Sequence, residues 1–216
     1  MNIIKTPKVN KEKLITTDNL EEIFVENDEQ ENIFLEDYKT KNIELINISI
    51  ESAIISNTEI VSSNFEKSTF TDVEFKNCNF SNTSFEKCCF IRCKFTNCKM
   101  TGCNFISSRM YNIMLQESNI NYANFALASF ENVFIEKSFL ISSNFQENRL
   151  KNILFEECNF TQTTFFRTML KDIYFSTCNI EGIAATPEDV QGIIINQFQA
   201  ADLLHLFGIK IKDTNL

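Results

Sequence analysis

Between Ile43 and Gly182 every fifth residue of the chain is a large apolar side chain. The column runs Leu45, Ile50, Ile55, Ile60, Phe65, Phe70, Phe75, Phe80, Phe85, Phe90 and Phe95, and continues through Met100 to Ile180 without a miss. Its 28 positions hold 15 Phe, 6 Ile, 5 Leu and 2 Met. Two residues before each lies a second column, nearly all small, with Ser63, Ser68, Cys78, Thr83, Cys88, Ala123 and Ser143 among its members. Neither column contains a charge. A period of five fits neither a free-standing α-helix nor a flat strand. Self-similarity at a fixed step predicts a solenoid.

Segments such as Cys78-Asn79-Phe80-Ser81-Asn82, Ala123-Asn124-Phe125 and Cys158-Asn159-Phe160-Thr161 resemble the motif of pentapeptide-repeat proteins: a small residue, Asn or Asp, Leu or Phe, then two polar residues. The resemblance covers about two thirds of the chain. It implies an all-β fold, a right-handed quadrilateral β-helix with one pentapeptide per side and 20 residues per coil, so that 28 repeats make about seven coils. In that fold the large residue points to the axis and stacks on its equivalent one coil away. The small residue also points inward, and the other three positions face water. Each buried large side chain contributes roughly 1.5–3 kcal/mol, an upper bound because unfolded chains are themselves compact. At a strand spacing of about 4.8 Å, seven coils make a rod roughly 34 Å long.

The ends read differently. Residues 1–20 are polar and aperiodic, the expectation for a flexible segment. Residues 21–42 are acidic, and Tyr38 and Thr40 break the spacing that Ile33 and Leu35 begin, so residues 1–42 are expected to be a flexible start followed by a cap on the first coil. The repeat body spans 43–182. Over 183–216, Thr186-Pro187-Glu188-Asp189 reads as a helical start. Ile193–Ile195 is a strand-like run, and Asn196 with Gln199 resembles a capping box. A helix to about Phe207 stops at Gly208, and Ile209-Lys210-Ile211-Lys212 alternates like a strand. This segment resembles the tail of Gram-positive members of the Qnr and MfpA quinolone-resistance branch, which caps the rod and makes a homodimer. The residues expected at that interface are Leu203, Leu204, Leu206, Phe207, Ile209 and Ile211.

The formal charge of −9 argues against direct binding to nucleic acid or an anionic membrane. There is no 18-residue apolar run to span a membrane and no apolar core of a signal peptide at the start, so a cytoplasmic location is expected. Eight cysteines raise disulfide and zinc readings. Seven of them fall in the small inward column and only Cys89 should face out, where a free, buried thiol is the better account. Cys78 with Cys98, and Cys158 with Cys178, stack one coil apart with parallel side chains that suit a bridge poorly. Zinc needs converging ligands, and the single histidine, His205, is far from them in sequence. Asn148 is the one amide in the small column and needs a local partner.

No catalytic constellation, phosphate loop or metal spacing is present. No cofactor is implied, and a binding protein is expected rather than an enzyme. One outward column is unusual: Met114, Phe134, Leu154 and Tyr174 stack into an apolar stripe, with Phe139 and Ile141 on the next side. Such a stripe marks an interface unless a terminus covers it. Glu117, Glu136, Glu156 and Glu157 run beside it, against Lys137. The branch resemblance implies mimicry of duplex DNA toward DNA gyrase or topoisomerase IV, and quinolone protection. Charge tempers this. Duplex DNA carries one charge per ~1.7 Å, about 20 over such a rod, whereas residues 43–182 hold 15 acids and 12 bases. The register has no insertion, so functions that depend on loops in some relatives do not transfer. The alternative is a scaffolding module with an unrelated partner on the apolar stripe.

Overall fold

The structure is a computed structural model that describes residues 4–210 and 212. Its strands are β1 (Ile15–Thr17), β2 (Glu29–Glu36), β3 (Lys39–Lys41), β4 (Ser49–Ser56), β5 (Glu59–Val61), β6 (Thr69–Lys76), β7 (Cys89–Ile91), β8 (Lys94–Thr96), β9 (Arg109–Gln116), β10 (Ser129–Glu136) and β11 (Arg149–Glu156). All pairings are parallel, and from β2 onward each residue lies beside the one 20 positions away, as in Phe130 beside Met110 and Leu150. The sequence-predicted β-solenoid of about seven coils is therefore the fold.

Each coil has four sides, and their sequences divide the work. Most strands occupy two adjacent sides, those centred on Phe70 and Phe75 and their equivalents, while β3 and β5 pair on the side centred on Thr40 and Ile60. On the other two, the residue before the centre is often Asn, and its Oδ1 accepts the N–H two residues on: Asn64 from Glu66, Asn79 from Ser81, Asn104 from Ile106 and Asn119 from Asn121. These are Asx turns, which bend the chain locally. Every corner from Asn32 to Gly182 is left-handed, with positive φ at each fifth residue, except at Thr177. Thr177 is also the one β-branched residue of that column, and β-branched side chains tolerate this region worst.

Of the 28 large-column residues, only Leu150 is not buried. Phe65, Phe85, Phe105, Phe125, Phe145 and Phe165 form one continuous stack with ring centroids 4.8–5.5 Å apart. The small column has a second task that sequence reading missed. Its hydroxyls and thiols donate to the carbonyl of a large-column residue one coil earlier: Ser68 Oγ to Leu45 O, Thr83 Oγ1 to Ile60 O, Cys88 Sγ to Phe65 O and Cys103 Sγ to Phe80 O. Seven cysteines are buried, Cys89 is half-buried, and all eight are free. Burial pushes the thiols of Cys88, Cys93 and Cys103 up to about 12. Asn148 finds local partners, donating from Nδ2 to Phe125 O and Gln146 O.

The solenoid is longer than its obvious repeat. At the N-terminal end β1 pairs with β2, Ile15 beside Ile33, and β2 pairs with β4. Tyr38 and Thr40 do not break the register, since Thr40 lies beside Ile60. Gln30 takes a large-column place beside Ile50 and caps the open end by donating to Ile23 O and Asn27 O. Leu20 and Phe24 close the core there. Residues 4–10 also lie on the rod, as described below, where the sequence predicted flexibility.

At the other end the register does not stop at Ile180. Ala184 bridges Thr164, Ile194 bridges Tyr174, and Ala185 and Val190 are buried. Thr186 and Asp189 bond as expected for a cap, but turns follow rather than a helix. The Asn196–Gln199 capping box forms. It opens a mixed 3-10 and α segment whose α-helical part, α1, is Ala200–Leu203, and Gly208 ends it at φ 70. Gln199 Nε2 reaches the carbonyls of Phe175 and Cys178, tying the segment to the last coil. Ile209 and Lys210 form no strand and pair with no neighbour among the described residues, and Ile211 lies outside them.

Candidate partner-binding face

The coil step of 20 brings Met114, Phe134 and Leu154 side by side on β9, β10 and β11. Tyr174 is next in the column, and it bridges Ile194, a fifth member that the sequence reading missed by ending the register at Ile180. A stripe can exist here because the residue before the centre on this side is not needed for an Asx turn. Met114, Phe134, Leu154 and Ile194 are half-buried, and Tyr174 is 54% exposed. On the neighbouring side Phe139 is 50% exposed and Ile141 half-buried.

The acids fall in two columns beside the stripe. Gln116, Glu136 and Glu156 are register neighbours, so Glu136 and Glu156 stand one strand spacing apart, about 4.8 Å. Gln116 Nε2 donates to Glu136 Oε1. Glu117 and Glu157 are corner residues two coils apart, with Lys137 between them. Glu157 donates its N–H to Thr177 Oγ1. Among the described residues no ion pair engages Glu117, Glu136, Glu156 or Glu157, whereas Glu131 and Glu147 pair with Lys151 and Arg167.

The expected dimer residues divide. Leu203 is buried against the last coil, and Leu206 packs partly on the core. Leu204 is half-buried, while Phe207 and Ile209 remain 54% and 51% exposed. Phe198, 80% exposed at the same end, was missed. His205 Nε2 lies 3.0 Å from Ile183 O. Among the described residues no cluster of His, Cys, Asp and Glu could hold a metal ion, and no helix is long and apolar enough to cross a membrane.

Residues 68–141 match the family model of the pentapeptide repeat region. No curated protein matches the chain. Among solved structures, a trypsin-treated variant of QnrB1, a plasmid-mediated fluoroquinolone resistance protein, is 17% identical with a TM-score of 0.45, covering 81% of this chain and 100% of that one. HetL, a pentapeptide repeat protein involved in heterocyst differentiation regulation in the cyanobacterium Nostoc sp. strain PCC 7120, is 14% identical with a TM-score of 0.34, covering 76% and 85%. A pentapeptide repeat protein of the Arabidopsis thaliana thylakoid lumen is 12% identical with a TM-score of 0.36, covering 47% and 68%. Residues 68–141 are thus a pentapeptide repeat region, and the same five-residue period and 20-residue coil continue on both sides of them.

Proposed function

We propose that this protein is a non-enzymatic binding protein that engages a type II topoisomerase, DNA gyrase or topoisomerase IV, on the surface that receives duplex DNA. The observation that carries this reading is the set of four carboxylates without ion-pair partners among the described residues, Glu117, Glu136, Glu156 and Glu157, beside the half-exposed stripe from Met114 to Tyr174. Glu136 and Glu156 stand at coil spacing, with Glu157 at the adjoining corner, and present a local patch of negative charge. The repeat body's 15 acids against 12 bases make it a local strip rather than a whole-surface imitation. A contact made to a phosphate-binding surface is electrostatic and weakens with salt.

A supercoiling assay with purified gyrase, with and without a quinolone, tests this. Added protein is expected to change supercoiling or the quinolone response, more weakly as salt rises. Glu136→Lys with Glu156→Lys and Glu157→Lys should reduce the effect while the rod's melting temperature is kept. Unchanged gyrase activity in both arms at excess protein would reject the topoisomerase reading. The apolar stripe itself favours a second reading, a scaffold whose partner is unrelated and docks chiefly through Phe134, Leu154 and Tyr174. Binding of that kind would survive both high salt and the three charge reversals.

A further inference from the structure

We propose that the corner column Asp72–Arg92–Asn112 is a docking site for an extended peptide segment, and that the chain's own residues 4–10 occupy it as a detachable strap. The site is built from buried polar groups. Asp72 and Asn112 are 5% and 2% exposed. Arg92 grips the Asp72 carboxylate at two points, Nε to Oδ1 at 2.7 Å and Nη2 to Oδ2 at 2.6 Å. The carboxylate still accepts the Lys8 N–H at 2.9 Å, and Asn112 Oδ1 accepts the Lys5 N–H at 3.3 Å. Two coils separate Asp72 from Asn112, about 9.6 Å at strand spacing. Three residues of extended chain span roughly the same distance, so the N–H groups of residues 5 and 8 meet the two acceptors.

Several other corner amides consume their polar groups internally. Asn57, Asn77 and Asn97 form an amide ladder, Nδ2 to Oδ1 at 2.9 Å in each step, and Asn152 donates to Asn132. Asn112 does neither, and its buried Nδ2 has no acceptor among the described residues. The column thus turns two acceptors and a spare donor toward a main chain. The arm that takes them is lightly held. Ile4, Pro7 and Val9 are half-buried and the residues between them exposed. A 3-10 turn at Lys11–Lys13, capped by Asn10, separates it from β1 and supplies a hinge. Few contacts and an exposed backbone give low local stability, while tethering keeps the arm at millimolar effective concentration.

The test uses the full chain. Lys8→Pro removes the N–H that meets Asp72 and keeps an extended backbone. Hydrogen exchange at the Lys5 N–H should be slow in the wild type and about tenfold faster or more in the variant, the loss expected for a hydrogen bond to a charged group. A labelled synthetic peptide of residues 4–14 should bind the variant at concentrations that leave the wild type unbound. Adding Asp72→Asn to the variant should abolish that binding. The melting temperature confirms the intact rod, and if Lys8→Pro misfolds, Lys5→Pro serves with exchange read at the Lys8 N–H instead. Equal, unprotected exchange in both proteins would overturn the strap. No peptide bound to a folded variant with a released arm would overturn the docking site.

Discussion

Phe85 concentrates what single residues do in this fold. Its ring lies between those of Phe65 and Phe105, at 5.5 and 5.2 Å, and meets Phe80 and Phe90 edge-on at 5.7 Å each. The neighbours are anchored in their own coils and cannot collapse into a void. Phe85→Ala should therefore cost roughly 3–5 kcal/mol, measurable by denaturant unfolding. Leu150→Ala, at the one large-column position not buried, should cost clearly less. Equal losses at the two sites would mean that burial in the stack is not what stabilises the rod. Corners obey a different rule, because their constraint is the backbone. Ser62 is exposed and held at φ 52. Ser62→Val should destabilise, because a β-branched side chain tolerates this region worst, whereas Ser62→Gly removes the Cβ that carries the strain. A valine variant as stable as the wild type would show that the corner relaxes freely.

At the scale of elements, the repeat was legible and its ends were not, for a physical reason. In mid-rod a large-column residue has neighbours above and below, so only large apolar side chains fill the place. At an open end one neighbour is missing and the requirement loosens. Gln30 and Thr40 then stand in the column, and Ala185 and Val190 continue it with small residues. The signal at the C-terminal end was present, since 185, 190 and 195 keep the period of five. The apolar stripe was legible because a step of 20 fixes which residues stack. The strap was not, because it is held by main-chain N–H groups meeting side chains 64 and 107 positions away. Its anchor carries a pH signature. Burial alone would raise the Asp72 carboxyl, but the Arg92 guanidinium and the Lys8 N–H outweigh it, and it lies below its ordinary value. A carboxyl depressed by folding contributes stability above its unfolded pKa, about 3.9, which is lost as pH falls through the folded value. Asp72→Asn should therefore destabilise the protein at neutral pH, with the deficit shrinking below about pH 4. A deficit independent of pH would assign the loss to packing.

For the whole molecule, the two ends of the rod differ in a way that sets how copies can associate. A solenoid end exposes backbone and core to another copy unless capped. The N-terminal end is closed by Leu20 and Phe24, and the segment there carries the exposed acids Glu21, Glu22, Glu26, Asp28, Glu29 and Glu31, so two such ends repel. The C-terminal end leaves Phe198, Phe207 and Ile209 at half exposure or more, apolar surface of the kind interfaces bury. One adhesive end and one repulsive end favour a two-fold pairing that closes at two copies, rather than a head-to-tail filament. We therefore expect a dimer joined through the C-terminal segment. Light scattering on the full chain should give twice the chain mass of 25.0 kDa. Phe207→Glu with Ile209→Glu should return it to the single-chain mass without lowering rod stability, because neither side chain is buried in the core. A wild type already monomeric at micromolar concentration would remove the dimer, and a mass that grows without limit would mean that the acidic end does not repel as argued.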